Sequence, residues 1–330
     1  MSGLTDRYGR TAVDLRVSLT DRCNLRCTYC MPAEGLAWLP KTTLLTDDEV
    51  VRLVSVAVEE LGVREVRFTG GEPLLRPGLT EIVARTTALE PRPRVSITTN
   101  GIGLTRTAAA LEAAGLDRVN VSLDTLRPER FKELSLRDRL TDTLDGLAAA
   151  AEAGLTPVKI NTVLMRGVND DEAVDLLAFA LEHGYRLRFI EQMPLDAQHG
   201  WRRDEMVTAE EILASLRAAY TLAPSDKPRG AAPAEEWLVD GGPATVGVIG
   251  SVTRPFCGDC DRTRLTADGQ VRACLFATTE TDLRGALRAG AANAELADLW
   301  RGAMRAKKPG HDIDDPSFLQ PPRPMSAIGG

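Results

Sequence analysis

Between residues 13 and 219, short runs with apolar residues at alternate positions give way six times to longer runs with helical periodicity. No other feature of the chain restricts its fold as much. Strands are expected at 13–19, 63–69, 95–99, 119–123, 158–163 and 187–190, because each is a short stretch of alternating apolar and polar residues rich in β-branched side chains. Helices are expected at 46–61, 79–89, 105–114, 141–153, 170–183 and 208–219. The first begins with Thr46 and has Glu49 three residues on, the pattern of a capping box. Others stop at Gly115, Gly154 and Gly184, where glycine can take the left-handed turn that ends a helix. Six βα units in succession imply a parallel sheet with right-handed crossovers, an α/β fold that curls into a partial (β/α)6 TIM-like barrel. A dinucleotide-binding fold is the weaker alternative, since a cysteine loop stands where a Gly-x-Gly-x-x-Gly turn would follow the first strand.

Residues two apart on a strand share a face. Leu15 and Val17 therefore oppose Arg16 and Ser18, Val66 and Phe68 oppose Arg67, and Ile97 opposes Thr98. Val119 and Val121 oppose Asn120 and Ser122, Ile160 opposes Lys159, and Leu187 and Phe189 oppose Arg188. With the apolar face under the helices, Arg16, Arg67, Lys159 and Arg188 point into the lumen. An ordinary barrel fills this space with branched apolar side chains. Unpartnered cations there would cost several kcal/mol each, so the lumen is expected to hold water and an anionic, phosphorylated ligand. A half-solvated antiparallel sheet would also show a polar face, but the intervening helices speak against it.

The chain has six cysteines, in two triplets: Cys23, Cys27, Cys30 and Cys257, Cys260, Cys274. Disulfides would leave one thiol of each triplet unpaired. Thiolates are soft ligands suited to a metal centre. Three are too few for a structural zinc site or a fully ligated cubane cluster; a cubane on three cysteines keeps one iron open to a small molecule. The first triplet and the turn Gly70-Gly71-Glu72-Pro73 both follow strand ends, so they share the barrel mouth where active sites form. His183, His199 and His311 fall in no metal or triad spacing, and His183 closes a helix. A net charge of −7 argues against general affinity for nucleic acid or anionic membrane. No apolar run approaches the ~18 residues of a membrane span, the first residues lack an apolar signal core, and a cytoplasmic location is expected. Beyond the barrel, strands are expected at 236–239 and 245–249 around Asp240-Gly-Gly-Pro, a helix-rich stretch over 286–306, and an extended segment from 309 onward.

Cys23-x-x-x-Cys27-x-x-Cys30, with Tyr29 before the last cysteine, resembles the signature of radical S-adenosylmethionine enzymes. Gly70-Gly71-Glu72-Pro73 resembles their methionine-binding turn. Cys257-Gly-Asp-Cys260-Asp-Arg262-Thr-Arg264 with Cys274, together with Gly329-Gly330, resembles the GTP 3′,8-cyclases of molybdenum cofactor biosynthesis. The resemblance runs nearly end to end. It implies a radical S-adenosylmethionine barrel over 1–220 and a substrate-binding iron–sulfur region with a Gly-Gly tail over 221–330. It further implies one [4Fe-4S] cluster on Cys23, Cys27 and Cys30 that cleaves S-adenosylmethionine, and a second on Cys257, Cys260 and Cys274 that holds the guanine base. Tyr29, Gly71, Ser122 and Met193 match cosubstrate contacts; Arg16, Arg67, Thr98, Lys159, Arg262 and Arg264 match GTP contacts. Arg16, Gly329 and Gly330 match positions needed for catalysis, and Arg188 is placed near cosubstrate or substrate. A low-potential electron donor, a MoaC-type synthase taking the product, and a homodimer are also implied. Another radical enzyme with an auxiliary cluster, such as a peptide-modifying one, and a non-enzymatic iron–sulfur or zinc protein remain as alternatives.

Overall fold

The computed structural model describes residues 3–316 and 318–329. It opens with an antiparallel ribbon of β1 (Leu4–Thr5) and β2 (Thr11–Ala12). The βα units are β3 (Asp14–Ser18) with α1 (Asp47–Ser55), β4 (Glu65–Thr69) with α2 (Leu79–Thr87), and β5 (Arg94–Thr99) with α3 (Leu104–Ala113). Then come β6 (Arg118–Ser122) with α4 (Pro128–Ser135) and α5 (Leu140–Glu152), β7 (Lys159–Val163) with α6 (Ala173–Glu182), and β8 (Arg186–Ile190) with α7 (Ala209–Arg217). Short strands follow: β9 (Leu222–Pro224), β10 (Glu235–Val239), β11 (Thr245–Ile249), β12 (Arg262–Leu265), β13 (Gln270–Arg272) and β14 (Thr281–Asp282). The chain continues through α8 (Leu283–Arg288), α9 (Asn293–Arg305) and α10 (Met325–Ile328).

Strands β3 to β8 lie side by side in chain order, each parallel to the next. They form the middle of a 12-stranded sheet of order β14-β13-β12-β3-β4-β5-β6-β7-β8-β11-β10-β9. β12 continues the parallel sheet beside β3, and β11 continues it beside β8. Among the described residues no ladder joins β14 to β9, so the barrel is partial.

The apolar strand residues behave as alternation predicts. Leu15, Val17, Phe68, Ile97, Val121, Ile160 and Phe189 are all fully buried, and helix residues such as Leu53, Ile82, Leu111, Leu147 and Leu177 cover them. The Thr46–Glu49 capping box is formed, worth about 1 kcal/mol, and the helix it opens runs on as a π-helical turn, Val56–Glu60. The expected hairpin is present, Glu236 facing Gly247, with Asp240, Gly241 and Gly242 all at positive φ in the turn. α9 is fastened to β12 by buried Trp300, whose indole N–H donates to Thr263 Oγ1 at 2.9 Å.

Three details differ from expectation. α4 was not expected; it is short, starts on Pro128, and buries only Phe131, Leu134 and Ser135. The helical stretch at 286–306 is broken by Gly290 at φ +90 into α8 and α9. The segment beyond 309 is not extended throughout: it ends in α10, where Ile328 and Ser326 are buried.

Candidate active site

From β3 the chain passes directly into the first cysteine loop, which tightens where the Cys30 and Met31 amides donate to the Cys27 carbonyl at 2.8 and 3.0 Å. The Gly-Gly turn after β4 lies against this loop backbone to backbone. Gly71 N–H donates to Thr20 O at 2.7 Å and Glu72 N–H to Arg22 O at 2.8 Å. A Cβ on Gly71 would stand 2.3 Å from Arg22 O, which is why only glycine fits there. Glu72 is buried beneath the turn, accepting from Leu74 N at 3.0 Å, Thr99 Oγ1 at 2.6 Å and Asn100 N at 2.7 Å. Burial raises its carboxyl to about 7, against the pull of those donors. Tyr29 O–H donates to Asp124 at 2.7 Å, and burial outweighs this bond to raise Asp124 to about 6.

Cys23, Cys27 and Cys30 face a cavity of ≈ 240 Å³ that is also lined by Tyr29, Gly71, Ser122 and Met193. The cysteines are free thiols. Burial raises Cys23 to about 11 and Cys30 to about 12, so holding a metal there would require these thiols to give up their protons. Leu25 N–H points at Cys23 Sγ at 3.4 Å, the kind of donor that stabilises a cluster thiolate. Among the described residues no group of His, Cys, Asp or Glu is drawn together as a single-ion site. Three thiols ringing a cavity fit an iron–sulfur cluster better than one zinc ion.

Below this cavity lies the basic lumen. Arg16, Arg67, Lys159, Arg188 and Arg262 share a cavity of ≈ 700 Å³, with Arg118 among its walls. Arg16 and Arg67 are cross-strand neighbours, as are Arg264 and Arg16. Asp14 sits among them, pairing with Arg16 at 3.2 Å and approaching Arg262 Nε at 3.5 Å, while Glu65 and Asp261 at the cavity wall stand 3.9 Å from Arg118 and 4.0 Å from Arg262. Burial pushes Asp14 up, but Arg16, Arg67 and Arg262 together hold its carboxyl well below the usual range. Arg67 and Arg188 are held by neutral groups, Ser96 Oγ at 3.3 Å and Asn120 Oδ1 at 3.0 Å, and Arg262 also donates to Ala231 O at 2.8 Å. Burial and then mutual repulsion among the cations lower Lys159 to about 7 and Arg188 to about 9. Gly247 makes room for Arg188, since a Cβ there would meet Arg188 Cγ at 2.9 Å.

The second triplet lines a cavity of ≈ 70 Å³ with Arg262, Arg264 and Met193. Between the triplets, a chamber of ≈ 110 Å³ is bounded by Arg16, Arg67, Thr98, Met193, Arg262 and Arg264. Met193 thus borders both cysteine cavities and the chamber. Gly329 reaches the same place: its carbonyl accepts from Arg264 Nη1 at 2.5 Å. At φ +76, a Cβ on it would stand 2.5 Å from Thr69 Cγ2 and 2.6 Å from Ser18 Oγ. Gly330 lies outside the described residues. Several buried polar atoms around the chamber have no hydrogen-bond partner, among them Ser18 Oγ, Asn161 Oδ1, Arg188 Nε and Arg262 Nε.

All the candidate side chains expected from sequence and described here therefore line one connected interior. Alternation begun at residue 119 missed Arg118, which lies two residues before Asn120 on the lumen face; starting the strand one residue earlier would have found it. Asn100, which reaches Asn24 Oδ1 at 2.7 Å, and Glu191 each lie one residue past a strand, where alternation assigns no face.

The radical SAM superfamily model matches residues 17–180, and the Molybdenum Cofactor Synthesis C model matches residues 185–313. The GTP 3′,8-cyclase of Streptomyces coelicolor is 72% identical over 328 residues, covering 99% of this chain and 96% of that protein. That of Mycobacterium sp. strain KMS is 62% identical over 327 residues, covering 99% and 93%. In fold, the chain resembles a crystal structure of Streptococcus suis SuiB bound to S-adenosylmethionine, with a TM-score of 0.63 at 15% identity, covering 90% of this chain and 69% of that one. Identity of this extent across nearly the whole length, with both halves matched by their own models, places the chain in the GTP 3′,8-cyclase family of the radical S-adenosylmethionine superfamily.

Proposed function

We infer that this chain converts GTP to 3′,8-cyclo-7,8-dihydro-GTP, using S-adenosylmethionine and an iron–sulfur cluster, in the molybdenum cofactor pathway. The observation that carries the reading is the lumen. Among the described residues, Arg67, Lys159, Arg188 and Arg264 have no carboxylate partner, yet all are partly or fully buried along the lumen and its adjoining chamber. A triphosphate supplies the missing negative charge, and guanidinium forks match its oxygens two at a time. Arg16, Arg67, Lys159 and Arg188 would hold the phosphates. Thr98, Arg262 and Arg264 border the chamber and would orient the nucleoside end.

Cys23, Cys27 and Cys30 would hold a [4Fe-4S] cluster, which when bound supplies the electron that cleaves S-adenosylmethionine to methionine and a 5′-deoxyadenosyl radical. Tyr29, Gly71, Ser122 and Met193 would contact that cosubstrate. Cys257, Cys260 and Cys274 would hold a second [4Fe-4S] cluster on the substrate side. The residues between the two sites fix the ribose near the cosubstrate and exclude competing donors, Met193 and Met325 giving the chamber apolar walls. Gly329 closes it through Arg264, and the Gly329–Gly330 tail, with Arg16, would order the site for catalysis. The C3′ hydrogen atom of GTP passes to the 5′-deoxyadenosyl radical to give 5′-deoxyadenosine, C3′ bonds to C8 of guanine, and a second electron from the low-potential donor with a proton from solvent at N7 completes the dihydro product; no general base is required for that hydrogen transfer.

A low-potential electron donor, hand-off to a MoaC-type synthase, a homodimer and a cytoplasmic location complete the proposal; no helix among the described residues is long and apolar enough to cross a membrane. Anaerobic reconstitution should give about eight irons per chain if each triplet holds a four-iron cluster. Incubation with dithionite and S-adenosylmethionine, with and without GTP, should give 5′-deoxyadenosine and the cyclised nucleotide. Zinc in place of iron, or no 5′-deoxyadenosine, would overturn the reading.

A further inference from the structure

Lys307 follows α9 and is 3% exposed. No carboxylate among the described residues forms an ion pair with it. Its ammonium donates to the Arg262 carbonyl at 2.9 Å, the Cys260 carbonyl at 3.1 Å and the Cys260 sulfur at 3.4 Å. Three donors on three acceptors use the full capacity of the group. Two of those acceptors are the backbone on either side of Asp261, so the side chain ties the end of the Cys257–Cys260 turn to the start of β12.

A buried cation held by two carbonyls and one thiol sulfur is incompletely compensated. The anion available to it is the cysteine set with whatever that set holds. The surroundings of the two triplets also differ in charge balance. Glu72 and Asp124 line the cavity of the first, where one guanidinium, Arg26, donates to the Cys23 carbonyl at 2.8 Å. Arg262 and Arg264 line that of the second, and Arg10 donates to the Cys257 carbonyl at 2.6 Å. Reducing a cluster adds one negative charge, which nearby cations and hydrogen bonds to sulfur stabilise and nearby carboxylates oppose.

We propose that Lys307 is a positioning residue of the second cluster: it clamps Cys260 onto β12 and holds that cluster at a more positive reduction potential than the first. The proposal rests on the two-cluster reading given above. The second cluster then takes up an electron first, and the first cluster, in its acidic surroundings, is the stronger reductant.

The test is a redox titration followed by electron paramagnetic resonance, with iron counts, on anaerobically reconstituted wild type, Lys307→Met and Lys307→Arg. A variant with Cys257, Cys260 and Cys274 all changed to serine assigns the signal of the first cluster. Wild type should show two waves, the second cluster at the more positive potential. Lys307→Met should move that wave to more negative potential and leave the other in place, and Lys307→Arg should restore it. Loss of about four irons in Lys307→Met, with retention in Lys307→Arg, supports the same charged clamp. An unmoved second wave, equal movement of both waves, or equal iron loss in both variants would overturn the proposal. Wild type with about four irons instead overturns the two-cluster reading itself.

Discussion

Lys159 shows most clearly what the lumen demands of a ligand. Burial, and after it Arg188, Arg118, Arg186 and Arg67, bring its ammonium from 10.5 down to about 7. Between those values the unfolded chain binds a proton that the folded chain lacks, so stability of the ligand-free protein rises with pH across that window. A bound triphosphate draws the proton back onto Lys159. Affinity for a non-reacting GTP analogue should therefore fall as pH rises above about 7, by at most ~10-fold per pH unit for one proton. Calorimetry in buffers of different ionisation heat should show the uptake in wild type and its absence in Lys159→Met; equal uptake in both would contradict the assignment. Lys159 and its fellow cations were legible in the sequence because a strand's period of two needs only neighbouring residues. Lys307 was not, because it meets Cys260 across 47 residues from the end of a helix. Nothing near it in sequence marks it as different from the exposed Lys308 beside it.

At the scale of elements, the six barrel strands follow from their own pattern, but the flanking strands do not. Thr245–Ile249 reads locally as one arm of a hairpin; that it also lies parallel to β8 depends on the open edge β8 offers. Likewise Arg262–Leu265 carries no sign of its pairing with β3. Fully buried Glu191, just past β8, fastens one such junction. Its carboxylate accepts from Ala209 N at 2.6 Å, Val252 N at 2.8 Å, Thr253 N at 2.9 Å and the Thr253 hydroxyl. Glu191→Ala would strand these donors, of which Ala209 N and Val252 N are buried, at a cost on the order of 3 kcal/mol. Denaturant melts of the variant should show that loss, with the second triplet's iron released before the first's; unchanged stability would show that the junction does not depend on this carboxylate.

Across the whole molecule, three distant stretches meet around the chamber: the first cysteine loop, the second triplet, and the segment that includes Gly329. Gly329 has room for no side chain between Ser18 and Thr69. Gly329→Ala should therefore push the segment out of the chamber, lowering cyclisation at least ~10-fold through misplacement of the site while iron content stays at the wild-type level. Deleting Gly329 and Gly330 should abolish cyclisation with both clusters retained; full turnover in the deletion would refute the tail's role. The reading as a whole rests on where hydrogen leaves the nucleotide. GTP deuterated at C3′, incubated anaerobically with the reconstituted protein, dithionite and S-adenosylmethionine, should deliver its deuterium into 5′-deoxyadenosine as the cyclised product forms. Formation of 5′-deoxyadenosine without that deuterium, or with deuterium only from another position of GTP, would contradict it.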